Sequence, residues 1–118
     1  MITKNATILL ADDEPAIRSL IEAALTAEGY RVLAAKNGFE ALRVFEQYGA
    51  DIDLLITDMR MPYIGGSELI AALHARRATL KCLGISGYQV QVEPGLTILA
   101  KPFSRRELIQ SVQQVLAA

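Results

Sequence analysis

Leu54-Leu55-Ile56-Thr57-Asp58-Met59-Arg60-Met61-Pro62 runs from three consecutive branched aliphatics into a carboxylate. Such a run reads as a strand buried on both faces, the kind found inside a parallel sheet. It ends abruptly on Asp58, and Pro62 four residues on prevents the strand from continuing. In open α/β sheets, ligands and chemistry collect at the carboxyl ends of strands, which makes an Asp there a candidate site residue. An Asp can also simply open a turn, so the rest of the chain has to decide.

Outward from this strand the pattern repeats. Thr7-Ile8-Leu9-Leu10-Ala11 is a second short apolar run, and it too ends on acid, Asp12-Asp13-Glu14. Pro15 follows where a first helical residue belongs, because its missing N–H costs nothing there. Ile17, Leu20, Ile21, Ala24 and Leu25 then recur at helical spacing up to Gly29. Residues 30–35 predict a strand, with Asn37-Gly38 as the turn after it. Phe39, Leu42, Val44 and Phe45 mark a second helix, stopped near Gly49. Gly65-Gly66-Ser67 opens a third, with Leu69, Ile70 and Leu73 expected inward and His74, Arg76 and Arg77 near its end, where basic side chains suit the negative helix terminus. Residues 82–85 and 97–100 predict two more strands, and residues 107–116 a last helix.

Strands alternating with helices at this spacing predict βαβ units and a parallel sheet with helices on both faces. Right-handed crossovers and five strands favour an α/β, flavodoxin-like three-layer sandwich of strand order 2-1-3-4-5, filled by one domain over residues 1–118. In that order the first and third strands are neighbours, about 4.8 Å apart, so Asp12-Asp13 and Asp58 meet in one crevice. Gathering carboxylates is costly: at about 5 Å and an effective dielectric near 20, one like-charge pair costs roughly 3 kcal/mol. A divalent cation removes the problem, and Mg²⁺ leaves positions open for water and phosphate. Ser86 ends the fourth strand and Lys101 the fifth, and a lysine leaning inward could bring its ammonium near Asp58. Acid, acid, hydroxyl and amine across one rim suffice for phosphoryl transfer to a carboxylate.

Composition excludes other classes. The 118 residues are 52% hydrophobic and 21% charged, with a formal net charge of −1, ordinary for one globular unit. No basic cluster exceeds the pairs Arg76-Arg77 and Arg105-Arg106, so nucleic acid is not an expected partner. The single Cys82 cannot form an internal disulfide, and its apolar neighbours predict a small buried side chain. No apolar run approaches the roughly 18 residues of a membrane span, and Ile8-Leu9-Leu10-Ala11 is too short for a signal-peptide core. A cytoplasmic protein without membrane contact is expected, and a homodimer is left open.

With these residues in place, the sequence resembles, over its whole length, the receiver domain of bacterial two-component response regulators. The resemblance implies that Asp58 accepts a phosphoryl group from a phosphohistidine on a histidine kinase or histidine phosphotransfer protein, a signalling rather than an enzymatic role. It also implies Mg²⁺ held directly by Asp13, Asp58 and the backbone carbonyl of Arg60, with Asp12 acting through water. Ser86 matches the switch hydroxyl, and Lys101 the lysine of a Lys101-Pro102-Phe103 motif whose first bond is expected to be cis. Gly84-Ile85-Ser86-Gly87-Tyr88 and Pro94-Gly95 are similar to receivers of hybrid sensor kinases, so the chain reads as such a receiver or as a stand-alone regulator, with no output domain.

Two features depart from that family. Only fourteen residues separate Ser86 from Lys101, and residues 87–95 lack helical periodicity, so the helix between the fourth and fifth strands is expected to be short or absent. Ile98 stands where the family commonly has an aromatic. The usual output surface is therefore in doubt, which points to signalling through a rearranged loop at residues 87–96 or to handling phosphoryl groups for a partner. Arg60 and Tyr88 lie where they could flank the phosphate. Other classes fit less well. A haloacid-dehalogenase-type hydrolase wants an Asp where Arg60 stands, and a flavin or dinucleotide site wants a Gly/Ser/Thr loop where Asp-Asp-Glu stands. A pseudo-receiver working without phosphorylation remains the alternative, against which the presence of Asp13, Asp58, Ser86 and Lys101 together argues. His74, a lone helix-end histidine, reads as a surface residue.

Overall fold

The structure, a computed structural model, describes residues 5–87 and 95–118. The apolar runs form five parallel strands, β1 (Thr7–Ala11), β2 (Arg31–Ala35), β3 (Leu54–Asp58), β4 (Lys81–Ser86) and β5 (Thr97–Ala100). Their order across the sheet is β2-β1-β3-β4-β5, as the alternation of elements predicts. Among the described residues four α-helices connect or follow them: α1 (Pro15–Ala27), α2 (Gly38–Tyr48), α3 (Gly66–Arg76) and α4 (Arg105–Ala117). The expectation of a short or missing helix between β4 and β5 falls on residues 88–94, outside the described residues.

Strand side chains alternate between faces, and the core divides accordingly. Ile8, Leu10, Leu54 and Ile56 pack on one face with Ile21 and Leu25 of α1 and Leu108 and Val112 of α4. Leu9 and Leu55 point the other way, packing with Ala41 and Phe45 of α2 and Leu69, Ile70 and Leu73 of α3. Both faces of β1 and β3 are thus buried, which is why these strands read as unbroken apolar runs.

Local chemistry fixes the helix starts. Pro15 occupies the first turn of α1 behind Glu14. The Asn37 side chain accepts from the Glu40 amide at 2.8 Å to cap α2. Ser104 and Glu107 form a reciprocal capping box at α4, worth about 1 kcal/mol.

Three expectations need correction, those for Leu20, Cys82 and His74. Leu20, read as part of the inward stripe of α1, is 60% exposed, because the neighbouring Ile21 and Leu25 take the positions that face the sheet. Phe39, which marks the first turn of α2, is exposed, with its ring centroid 6.2 Å from that of Tyr63. Cys82 is half-buried rather than enclosed, and His74 is half-buried rather than a free surface residue. The two meet, with Cys82 Sγ 3.5 Å from His74 Nε2, which lies 2.9 Å from the Leu80 carbonyl oxygen.

Candidate functional site

Register brings the strand ends together. Ala11 of β1 pairs with Thr57 of β3, so Asp12 and Asp58, each one residue further on, emerge side by side. Asp58 lies opposite Ile85 of β4, and Ser86 opposite Ala100 of β5. The carboxyl end of the sheet therefore presents Asp12, Asp58, Ser86 and Lys101 in spatial order, although they are far apart in the chain.

Each side chain is held by its own backbone surroundings. Asp12 is fully buried, and one carboxylate oxygen, Oδ1, accepts from the Glu14 amide at 2.9 Å. Its carbonyl accepts from Arg18 Nη1 at 2.8 Å, tying the turn to α1. Asp58 is 5% exposed, and its Oδ1 accepts from the Arg60 amide at 3.1 Å. Behind it, the start of α3 presses on the main chain. A Cβ added at Gly66 would lie 2.7 Å from the Asp58 carbonyl oxygen and 2.7 Å from Met59 Cα, so only glycine allows this approach. Lys101 reaches back from the end of β5, its amide donating to the Ser86 carbonyl at 2.9 Å. Its ammonium stands 3.3 Å from Asp58 Oδ2 and 3.3 Å from Glu14 Oε1. The Lys101-Pro102 bond is cis.

These groups surround a cleft of about 500 Å³ lined by Asp13, Glu14, Asp58, Arg60, Ser86, Gly87 and Lys101. Ser86 is buried at its floor, 3% exposed. Tyr88, expected beside the cleft, lies outside the described residues. A separate cavity of about 350 Å³ opens at the other ends of β4 and β5, beside His74 and Cys82. There burial pushes the Cys82 thiol up to about 11, leaving it an inert thiol at neutral pH.

The electrostatics follow the geometry. Burial, with the charge of Asp58 adding to it, pushes the Asp12 carboxyl from 3.8 up to about 6, against the opposing hydrogen bond from the Glu14 amide. For Lys101, burial works against the charge, but the nearby Asp58 and the hydrogen bonds to Asp58 and Glu14 outweigh it and raise its pKa.

Asp12, Glu14 and Asp58 each place one carboxylate oxygen so that all three lie within 4.8 Å of one another. Asp12 Oδ2 is buried and has no hydrogen-bond partner among the described residues. A set of hard oxygen donors with a buried anionic oxygen left over is what a divalent cation such as Mg²⁺ needs, so the residues fit such an ion. Sequence reasoning assigned no role to Glu14. Its signal was present in the acid run, but only the turn made by Asp12 Oδ1 and the Glu14 amide brings residue 14 back over the strand ends. Asp13, named from the resemblance, lines the cleft but is not one of this close triplet.

Over residues 8–113 the sequence matches the family model described as the response regulator receiver domain. It is 32% identical over 122 residues to the sensor kinase CckA of Brucella abortus (strain 2308), covering 98% of this chain and 13% of that protein. The chain thus spans about an eighth of that relative's length. Among solved structures it is similar to the receiver domain from the hybrid histidine kinase CckA, with TM-score 0.84 and 41% identity, covering 93% of this chain and 98% of that one. It is also similar to response regulator protein TrrA from Thermotoga maritima in complex with Mg(2+)-BeF, with TM-score 0.80 and 32% identity over 92% of this chain and 97% of that one.

Proposed function

The chain belongs to the response regulator receiver domain family, and on that premise we propose that Asp58 accepts a phosphoryl group from a phosphohistidine of a partner histidine kinase or histidine phosphotransfer protein. The observation that carries this reading is the placement of one buried carboxylate, Asp58, against one ammonium, Lys101, at 3.3 Å in an open cleft. A nucleophile held beside a cation that can receive phosphoryl oxygens is the minimum for carboxyl phosphorylation.

Asp12, Asp13 and Asp58, with the main-chain carbonyl of Arg60, would hold Mg²⁺, while Glu14, close to the same oxygens, pairs with the Lys101 ammonium. When bound, the ion neutralises the clustered carboxylates and the oxygens of the transferring group. The chain's own residues do the rest. A carboxylate oxygen of Asp58 forms the new bond to phosphorus as the P–N bond to the donor imidazole breaks, and the imidazole leaves with the bonding pair. Lys101 and the Ser86 hydroxyl meet phosphoryl oxygens that the Asp58 charge alone would repel. The Arg60 amide fixes the carboxylate by its bond to Oδ1. Asp58 itself is modified and later restored, so the chain acts as a phosphoacceptor and not as an enzyme on a separate substrate.

The donor needs a place to dock. Exposed Leu20, with Ala23, Ala24, Phe103, Arg105 and Leu108, lines an apolar groove of about 280 Å³. Phe103 is two residues from Lys101 and α1 begins beside Glu14, so this groove adjoins the cleft and suits the histidine-bearing helix of the donor. No described helix is long and apolar enough to cross a membrane, and a cytoplasmic setting shared with such donors follows from the same reading. Ile98, in place of an aromatic, lies over the backbone of Gly84, where an added Cβ would be 2.5 Å from its Cδ1. A side chain seated there supports an output route other than rotation of a ring at that position.

The test is direct. Incubation with acetyl phosphate and Mg²⁺ should add about 80 Da, one phosphoryl group, read by mass spectrometry. Asp58→Asn should abolish the adduct; an unchanged adduct in that variant overturns the assignment.

A further inference from the structure

We propose that Glu14 is a positioning residue that fills the anion site of Lys101 in the unphosphorylated chain and has to yield it when Asp58 is phosphorylated. The inference deepens the phosphoacceptor reading and rests on it.

The ammonium of Lys101 holds two carboxylates at equal distance, Asp58 Oδ2 and Glu14 Oε1, each at 3.3 Å. The two differ in every other respect. The Asp58 side chain is 6% exposed and lies at the floor of the cleft, whereas that of Glu14 is 58% exposed and stands at its mouth. The backbone under Glu14 is fixed, its amide bound to Asp12 Oδ1 and its carbonyl accepting from the Arg18 amide at 2.9 Å. The fixed point delivers a carboxylate to the solvent side of Lys101, where an anion approaching Asp58 through the open mouth must come.

A carboxylate and a phosphoryl group present the same chemistry to an ammonium: anionic oxygens accepting charge-assisted hydrogen bonds. Glu14 is thus an internal stand-in for the phosphoryl oxygens. Because its side chain is largely in water, releasing it costs little, but until released it occupies the lysine and adds a negative charge facing the donor. Removing that charge should speed phosphorylation by a small anionic donor. Glu14→Asp keeps a carboxylate at the cleft mouth and should stay closer to the wild-type rate than Glu14→Gln.

Phosphorylation by acetyl phosphate with Mg²⁺, followed by mass, should be about two- to fivefold faster in Glu14→Gln at low ionic strength, the range an exposed ion pair supports. The difference should fade in about 1 M salt, where charges are screened beyond about 3 Å. In the same variant, without donor, the Lys101 side-chain NMR signals (Cε and Nζ) should shift relative to wild type and Glu14→Asp. A rate equal to or below wild type, or Lys101 signals that do not move, overturns the role given to Glu14. A loss of more than about tenfold in Mg²⁺ affinity by calorimetry in Glu14→Gln, beyond what one nearby exposed charge supports, also overturns it, by making Glu14 a metal ligand instead. If the wild type takes up no phosphoryl group at all, it is the phosphoacceptor reading that fails, and the Lys101 signals still report on Glu14.

Discussion

Lys101 Nζ lies 3.3 Å from Asp58 Oδ2, although the two residues are forty-three positions apart in the chain. β4 separates their strands, so the contact exists only because the lysine leans back across Ser86. Asp58 is also close to the fully buried Asp12, and in the metal-free chain the ammonium helps to offset both. Lys101→Met should therefore destabilise the metal-free protein by about 1–3 kcal/mol, the cost of leaving a buried carboxylate without its partner. Denaturant midpoints of Lys101→Met, Asp58→Asn and the double variant measure the coupling. The double variant should recover much of the loss, and strictly additive effects would mean that the contact contributes nothing.

Asp12 makes the same cluster sensitive to pH. Its carboxyl is pushed up to about 6 in the folded chain, chiefly by burial, whereas in the unfolded chain it ionises near its ordinary value. Well below its ordinary value of 3.8 both states are protonated and the group costs nothing. As pH rises from there to about 6 the unfolded chain releases its proton first, so this group lowers stability through that window and the loss levels off above it. A shift of about two units corresponds to roughly 3 kcal/mol. Metal-free Asp12→Asn should thus gain on the wild type between pH 4 and 7 in thermal melts. Mg²⁺, which favours the ionised carboxyl, should stabilise the wild type more at pH 7 than at pH 5 and have a smaller effect on the variant. Parallel curves for the two proteins across this range would count against a strained Asp12.

Gly66 tests how closely the scaffold supports the site. Its missing Cβ leaves room for the Asp58 carbonyl and Met59 Cα, and both obstacles are backbone. Gly66→Ala should cost about 1–3 kcal/mol by overpacking and slow phosphorylation by displacing the Asp58–Met59 peptide. Gly65→Ala, whose nearest contacts would be an ordinary 3.6 Å, serves as the control. Circular dichroism melts and acetyl phosphate kinetics on the pair should separate; equal behaviour would show that the close approach does not matter.

Most of this architecture is legible in the chain because the physics is local. Leu54-Leu55-Ile56 and Ile8-Leu9-Leu10 are apolar at every position because both faces are covered, and that alone predicts central parallel strands. Pro15 and Gly29 punctuate α1 where the backbone demands them. The inward reach of Lys101 follows from strand order and its long stem. What escaped depends on geometry finer than periodicity. Leu20 and Ile21 are adjacent on a helix and about 100° apart, so both cannot face the sheet, and spacing does not say which turns away. Glu14 escaped because consecutive residues after a strand end separate or converge according to one turn, here closed by Asp12 Oδ1. Cys82 shares a strand with the buried Leu83 and Ile85, but it lies on the other face near the strand's beginning, where cover by α3 thins to His74.

The outward turn of Leu20 leads to the last prediction. A leucine that is 60% exposed gains the fold little, so a charge there should leave stability within about 0.5 kcal/mol. The groove it shares with Phe103 and Leu108 begins two residues along the chain from Lys101, and a partner's helix covering that groove would bury Leu20. Leu20→Asp should therefore leave phosphorylation by acetyl phosphate unchanged, because the cleft is untouched. Transfer from a phosphorylated histidine phosphotransfer protein or kinase should slow about tenfold or more, as expected when a central apolar contact is replaced by a desolvated charge. The two donors separate chemistry from docking: equal slowing with both would place the defect in the cleft, and no slowing with either would remove this face of α1 from the donor's footprint.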